Sequence, residues 1–100
     1  MTKDLLLIAI KQRDSLNPIT SKQLESNLYL EGPQIRDWVR EMRREGVPIG
    51  SDRKGYYICK TPSELIHTLA DLKSRSLSML ETISALQNTL KEMKGQDRLI

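Results

Sequence analysis

Four arginines lie close together between positions 36 and 44 and could bind an anionic partner. Arg36 and Arg40 are four residues apart, so on a helix they project from one face, one turn apart. A guanidinium group can donate two hydrogen bonds to guanine, and the amide of Gln34 can read adenine in the same way. The spacing of these side chains predicts the reading of bases in a DNA groove.

The alternative to DNA binding is that the same residues form an exposed helix face with local ion pairs. Asp37 and Glu41 stand among the arginines and could pair with Arg36 or Arg40. Both acids would repel phosphate, so a helix bound to DNA would have to keep them away from the backbone, or use them to accept hydrogen bonds from cytosine. The sequence leaves both interpretations open.

Arg53 and Lys54 form a second basic group, in a short polar loop that ends at Gly55. Runs of β-forming residues, 47–51 and 56–60, flank this loop and predict a hairpin with the two cations at its tip. Cations at a hairpin tip would be exposed and could contact the DNA backbone. On these grounds the predicted DNA-binding residues are Gln34, Arg36, Arg40, Arg43, Arg44, Arg53 and Lys54.

The distribution of charge separates the chain into two parts. The net charge is +3, with 11 basic and 8 acidic residues in positions 1–60 and 5 of each in positions 61–100. A net charge of this size is common on ordinary protein surfaces. The whole excess nevertheless lies in the part that carries the arginine cluster, where nucleic-acid binding would require it.

Cysteine content and hydropathy predict a cytoplasmic protein. The chain has one cysteine, Cys59, which excludes an intrachain disulfide and argues against a cysteine-based metal site. It lies in an apolar run and is expected to be a buried thiol in a reducing compartment. The apolar run from Leu5 to Ile10 is too short to span a membrane and lacks the charge-first order of a signal peptide.

No arrangement of residues in this chain predicts catalysis. There is no phosphate-binding glycine loop, no pair of carboxylates with a plausible pocket and no nucleophile beside a base. His67 is the only histidine, and no second type of ligand is arranged near it, so no metal site is expected. We therefore expect a protein that is not an enzyme and has no cofactor and no small-molecule effector.

Two helices are expected before the arginine cluster. The first covers about residues 3–14, and apolar residues nearly surround its axis, so it should be packed on several sides. Asn17 and Pro18 then mark a turn. Thr20 and Gln23 have the spacing of a capping box, which predicts a second helix that begins at Ser21 and ends near residue 27.

The arginine cluster itself lies on a third predicted helix. Pro33 suits its first position, and Ile35, Val39 and Met42 recur at spacings of four and three that define one buried stripe. Gly46 is expected to be its left-handed cap. The order of elements is therefore helix, helix, turn, helix and hairpin.

Four segments in this order resemble the winged helix of bacterial biotin repressors and related regulators. They read PITSKQL, IR, MRREGVPI and KGYYI and begin at Pro18, Ile35, Met42 and Lys54. Small bacteriophage and prophage regulators with the same domain are equally similar, and the resemblance covers about residues 3–60, which we call the head.

The resemblance implies a winged helix-turn-helix domain that is mainly α-helical, with the hairpin as its wing. The second helix of the motif would then enter the major groove. At the positions that correspond to those of the family, the residues that would read bases are Gln34, Arg36, Asp37 and Arg40. The residues that would make the wing contacts are Arg53 and Lys54. Three positions depart from the family: Tyr29 replaces a turn glycine, Glu31 an N-cap serine, and Trp38 a small polar residue.

A long helix is predicted after residue 60. Thr61 and Pro62 provide an N-cap and a first helical residue, and Gly95 is expected to end the helix and to begin a flexible tail, 95–100. Apolar residues in two registers of seven form a coiled-coil seam between positions 65 and 93. The predicted oligomerisation residues are Leu65, Leu69, Leu72, Met79, Ile83, Leu86, Leu90 and Met93.

The partner of this seam is left open by the sequence. Self-association is favoured because the seam continues far past any contact with one small domain, but the helix could also fold back on its own head. Ile66 and Leu80 widen the apolar stripe, so a four-helix arrangement is an alternative to a pair. Ser76, a polar residue within the seam, could fix its register.

These observations predict residues 1–60 as a winged helix-turn-helix domain and residues 61–94 as an oligomerisation helix. The favoured function is sequence-specific binding of double-stranded DNA by a homodimeric transcriptional regulator, of phage or mobile-element origin. The alternative is a non-enzymatic assembly or adaptor protein of a phage replication or DNA-packaging complex, whose head binds protein or binds DNA without sequence preference.

Overall fold

The computed structural model of the chain describes the backbone of residues 2–99 and the side chains of residues 3–95. It is mainly helical (69%), with one small antiparallel hairpin. The chain divides into two compact units, Met1–Thr68 and Leu69–Ile100. The elements are α1 (Thr2–Lys11), α2 (Ser21–Leu28), α3 (Gly32–Arg44), β1 (Ile49–Asp52), β2 (Gly55–Ile58) and α4 (Pro62–Leu99).

The core of the first unit takes apolar side chains from nearly every element. The predicted buried stripe of α3 is confirmed, because Ile35, Val39 and Met42 are all almost completely excluded from solvent. Trp38 packs on this core as a half-buried residue. The other buried members of the cluster are Leu6, Ile10, Ile19, Leu24 and Ile49.

Helix α1 is shorter and less enclosed than the sequence predicted. It ends at Lys11 instead of Asp14, whose carboxylate accepts hydrogen bonds from the backbone N–H groups of Leu16 and Asn17, at 3.1 and 3.0 Å. A carboxylate that bonds to nearby backbone in this way favours a turn over a further helical turn. Leu5 and Ile8 are 46% and 53% exposed, so the helix is packed on one face and not on several.

Helix α2 begins as its capping box predicts. The Thr20 hydroxyl accepts from the backbone N–H of Gln23, and the Gln23 amide oxygen accepts from the backbone N–H of Thr20, each at 3.0 Å. The helix ends at a tight turn in which Tyr29 adopts the left-handed conformation, with φ 55° and ψ 45°. For a residue with a Cβ atom this conformation costs on the order of 1 kcal/mol.

The hairpin pairs β1 with β2 around a two-residue tip, Arg53 and Lys54. The Asp52 carboxylate closes the tip by accepting the N–H groups of Lys54 and Gly55, at 2.8 and 3.1 Å. Both strands are shorter than the runs of β-forming residues suggested. Ile19 adds a third extended piece, since it exchanges two backbone hydrogen bonds with Tyr56.

Helix α4 begins at the predicted site and belongs to both units. The Thr61 hydroxyl accepts from the Glu64 N–H at 3.2 Å, and the Glu64 carboxylate accepts from the Lys60 N–H at 2.7 Å. Its second turn is tied to the hairpin, because buried Thr68 accepts a hydrogen bond from the Ser51 N–H at 3.4 Å. The first compact unit therefore extends eight residues past the boundary of 60 that the sequence suggested.

The far end of α4 differs from the prediction. The helix passes through Gly95 and is described as far as Leu99, since a glycine inside a helix lowers its stability without ending it. The side chains of the predicted tail after Gly95 lie outside the described residues. Within the described part of the chain, no helix has the combination of length and apolarity needed to cross a bilayer.

Cys59 is buried, as its apolar neighbours predicted. Burial raises the pKa of its thiol above the ordinary value, because the thiolate would be poorly solvated there. The thiol therefore stays protonated at neutral pH and serves as a small packing residue at the end of the hairpin.

Three glycines provide a matched test of this fold. At Gly55, with φ 149°, an added Cβ would overlap the carbonyl group of Ile19, so Gly55→Ala should lower the free energy of unfolding by about 3 kcal/mol or more. Gly46→Ala has φ 97° but open space and should cost only about 1–2 kcal/mol. Urea denaturation followed by circular dichroism measures both.

Gly95→Ala is the control, because no atom lies within 4 Å of the added Cβ and the position is helical. It should leave the first unit unchanged and add about 0.5–1 kcal/mol of helix stability. Equal losses for Gly55→Ala and Gly46→Ala would contradict the close approach of Ile19 to the hairpin.

Candidate nucleic-acid interface

The exposed surface of α3 is divided into a basic edge and an acidic edge. Successive residues of an α-helix are rotated by about 100°, so the arginines and the acids of this helix fall on different sides of its outward face. The basic edge consists of the exposed Arg36, Arg40 and Arg44, with the half-buried Arg43 at its margin. The acidic edge consists of Asp37, Glu41 and Glu45.

Two members of the acidic edge, Glu41 and Glu45, are turned toward α1 and share one cation there. Lys3 of α1 places its ammonium group 3.3 Å from the Glu41 carboxylate and 3.0 Å from that of Glu45. The hydrogen bond to Glu45 raises the pKa of Lys3 above its ordinary value, and Glu41 acts in the same direction. One cation from another helix thus serves both acids and reduces the repulsion that they would exert on an approaching anion.

Asp37, the remaining acid of α3, pairs with Arg40. The two side chains meet at 3.2 Å across one turn and are 65% and 58% exposed. An exposed pair at this spacing contributes only about 0.3–0.5 kcal/mol. This is one of the local pairs that the sequence allowed, and it is weak enough for Arg40 to exchange it for another anion.

Arg43 is held inside the first unit. Its Nε donates to the backbone carbonyl of Ile49 at 2.9 Å, and its Nη2 donates to the Ser51 hydroxyl at 3.1 Å. Both acceptors lie on β1, so this half-buried guanidinium ties the basic edge of α3 to the hairpin. Such an arrangement differs from the outward role that the sequence suggested for Arg43.

The other predicted side chains of α3 are directed to solvent. Gln34, Arg36 and Arg44 are exposed, and neither arginine forms an ion pair within the described part of the chain. The Arg36 guanidinium lies over the first turn, since a Cβ at Gly32 would be 3.4 Å from its Nη1. Two guanidinium groups and one amide of α3 are therefore accessible to solvent.

The hairpin tip adds two exposed cations. Arg53 and Lys54 lie between the strand ends, and the bonds to the Asp52 carboxylate fix the backbone from which they project. Since Arg43 connects β1 to α3, the hairpin and the basic edge belong to one hydrogen-bonded assembly. Such an assembly can present cations to two neighbouring parts of a polyanion.

Two features of this surface were not found by sequence reasoning. Lys3 stands 42 positions from Glu45, and nothing in its local pattern marks it as the partner of the acids on α3. The inward direction of Arg43 was also missed, although its place four residues after buried Val39, and so beside the buried stripe, could have suggested it.

Comparison of the chain with family models, with curated proteins and with solved structures gives no match. Within the described residues, no group of three or more His, Cys, Asp or Glu side chains could hold a metal ion. The arrangement of charge around α3 and the hairpin is therefore the basis for inferring a function.

Arg43 and Arg44 offer a direct comparison between an inward and an outward arginine. Arg43→Ala should lower the free energy of unfolding by about 1–3 kcal/mol, because it leaves the Ile49 carbonyl and the Ser51 hydroxyl without their charged donor. Arg44→Ala, the control, should change it by less than about 0.5 kcal/mol. Urea denaturation monitored by tryptophan fluorescence measures both, and equal effects would refute the structural role of Arg43.

Proposed function

We propose that the first unit is a winged helix-turn-helix domain and that the protein binds double-stranded DNA in a sequence-specific manner, as a dimeric transcriptional regulator. The observation that carries this proposal is the division of α3 into two edges. Glu41 and Glu45 face α1 and share the ammonium group of Lys3, whereas the basic edge is joined to a hairpin whose tip bears two more cations.

In this proposal α3 enters the major groove with its outward face. Arg36 is the first candidate to donate to guanine, and Gln34 is suited to adenine. Arg40 would leave its weak pair with Asp37 for a phosphate or a base. Asp37 would then lie near the groove floor, where a carboxylate can accept a hydrogen bond from the amino group of cytosine.

The hairpin tip would bind the DNA backbone beside the groove. Arg53 and Lys54 are exposed and can approach phosphates from a backbone that is held by the Asp52 carboxylate. Contacts of this kind position a protein on a duplex without reading its sequence. Arg43 would act indirectly, by keeping the hairpin against the end of α3.

Self-association through α4 forms the second part of the proposal. In the second unit, Leu69, Met79, Ile83, Leu86, Leu90 and Met93 are between 45% and 66% exposed. A soluble helix rarely leaves such a regular seam uncovered, since full burial of each large apolar side chain contributes about 1.5–3 kcal/mol. Two copies of the helix would cover the seams of one another, as in a coiled coil.

An assembly protein is the second candidate, favoured by the acids on α3. Asp37 is exposed on the outward face, and the total charge of the chain is only +3. A head of this kind could bind a protein of a phage replication or packaging complex. Salt separates the two proposals, because log affinity for DNA falls with log salt by about 0.9 for every phosphate that the protein neutralises.

The DNA-binding proposal predicts that Arg36→Ala with Arg40→Ala weakens binding to a duplex selected from a random pool. Each lost arginine–guanine contact should cost about 1–3 kcal/mol and relax the preference at its base pair. Lys11→Ala is the control, since it removes one exposed positive charge from α1. Fluorescence anisotropy at several salt concentrations measures affinity and slope.

Unchanged affinity and unchanged sequence preference in the double variant would refute this mode of docking. An affinity of the unsubstituted protein for DNA that does not change with salt concentration would favour the assembly protein. No binding of DNA at low salt would favour it as well.

The oligomer proposal predicts that Ile83→Glu with Leu86→Glu gives a monomer. Two carboxylates in the seam would have to be desolvated on association, which opposes it strongly. Ser84→Glu with Asn88→Glu is the control, because it adds the same charge away from the seam. Sedimentation equilibrium gives the mass, and an oligomer that survives in the seam variant would refute the proposed interface.

A further inference from the structure

Tyr29 combines an unfavourable backbone conformation with almost complete exposure. It is the only residue other than glycine with positive φ among the described residues, and its side chain is 94% exposed. Glycine or asparagine adopts this conformation at lower cost. The aromatic ring is absent from the set of side chains that pack on the core, so the stability of the fold gives no reason for a tyrosine here.

The neighbours of Tyr29 determine its direction. Leu28 and Leu30 on either side are half-buried and pack on the core, which leaves the ring between them pointing outward. The Tyr29 N–H donates to the Glu25 carbonyl at the end of α2, so the turn is anchored on its helix side as well. An exposed phenol is thus held on a fixed backbone three residues before α3 begins at Gly32.

We propose that Tyr29 is a DNA-contacting residue that binds the sugar–phosphate backbone at the edge of the groove entered by α3. Its hydroxyl donates a hydrogen bond to a phosphate oxygen, and its ring lies against the adjoining deoxyribose. This inference rests on the proposed DNA-binding function. It adds a third contact region, on the side of α3 where the turn lies.

The chemistry of the site favours an uncharged donor. Glu31, the N-cap residue of α3, is exposed and makes no capping hydrogen bond with its side chain. A lysine or arginine at position 29 could be held by that carboxylate. A phenol is not attracted by it, reaches further than serine or threonine, and has only two side-chain torsions to order on binding.

A backbone contact has a signature that a base contact lacks. Hydrogen bonds to phosphate and packing on sugar are independent of sequence, so their loss weakens binding to every duplex by the same factor. One hydrogen bond from a neutral donor to a charged acceptor corresponds to about a tenfold change in affinity. The contact can therefore be tested on random-sequence DNA, without knowledge of the target site.

The test compares Tyr29→Gly and Tyr29→Phe in the full chain, with a short random-sequence duplex at low salt as the probe and anisotropy as the readout. Tyr29→Gly should raise the melting temperature by about 4 °C or more, because it relieves the left-handed backbone. The same substitution should weaken binding about tenfold. Tyr29→Phe should leave the melting temperature unchanged, and it should show most of the loss of affinity that is expected for Tyr29→Gly.

Leu16→Ala is the matched control, since Leu16 is another large apolar side chain that is 93% exposed in the first unit. Its affinity should equal that of the unsubstituted protein. Full affinity in Tyr29→Gly would overturn the inference, and full affinity in Tyr29→Phe would overturn the hydrogen bond to phosphate. If the unsubstituted protein binds no duplex at low salt, the proposed function itself fails, which distinguishes the two failures.

Discussion

The outward face of α3 depends on three apolar side chains that hold its opposite face in the core. Ile35, Val39 and Met42 are buried to within 2% of their surface against side chains from α1, α2 and β1. Their burial fixes the rotation of the helix about its axis, since a rotation would expose them at a cost of about 1.5–3 kcal/mol for each. Every exposed charge on the helix takes its direction from this constraint.

The weaker interactions refine that arrangement. Lys3 binds the two acids that face α1, and Arg43 reaches two acceptors on β1, so a helix with mixed charge becomes a helix with two different edges. The exposed ion pairs contribute little to stability. Their importance lies in the electrostatic field, because they reduce the negative charge on one edge while the other edge stays basic.

The two units differ in how far they bury their apolar side chains. The first unit encloses a small core, with Leu5 and Ile8 of α1 left partly exposed. The second is a single helix, and a lone helix cannot bury its own apolar stripe, so Ile83 and Leu86 are exposed in the isolated chain. The first unit therefore has an apolar core of its own, whereas the large apolar side chains of the second unit such as Ile83 and Leu86 stay exposed.

Local signals in the sequence were sufficient for most of the helix and strand positions. These signals act within one or two helical turns, through capping hydrogen bonds and apolar periodicity. They are the pair Thr20 and Gln23, the pair Thr61 and Pro62, and the spacing of Ile35, Val39 and Met42. The end of α1 was missed because the Asp14 side chain competes with the helix for backbone N–H groups.

Only the tertiary structure decided which side chains of the arginine cluster face outward. The position of Lys3 beside Glu45 joins residues 42 apart, and the contact of Gly55 with Ile19 joins the hairpin to a segment that precedes α2. Such contacts arise when separate elements pack on a common core, and no local propensity encodes the angle at which they meet. The sequence by itself determined the elements and the residues able to bind an anion, whereas packing determined that Arg36 is exposed and Arg43 is not.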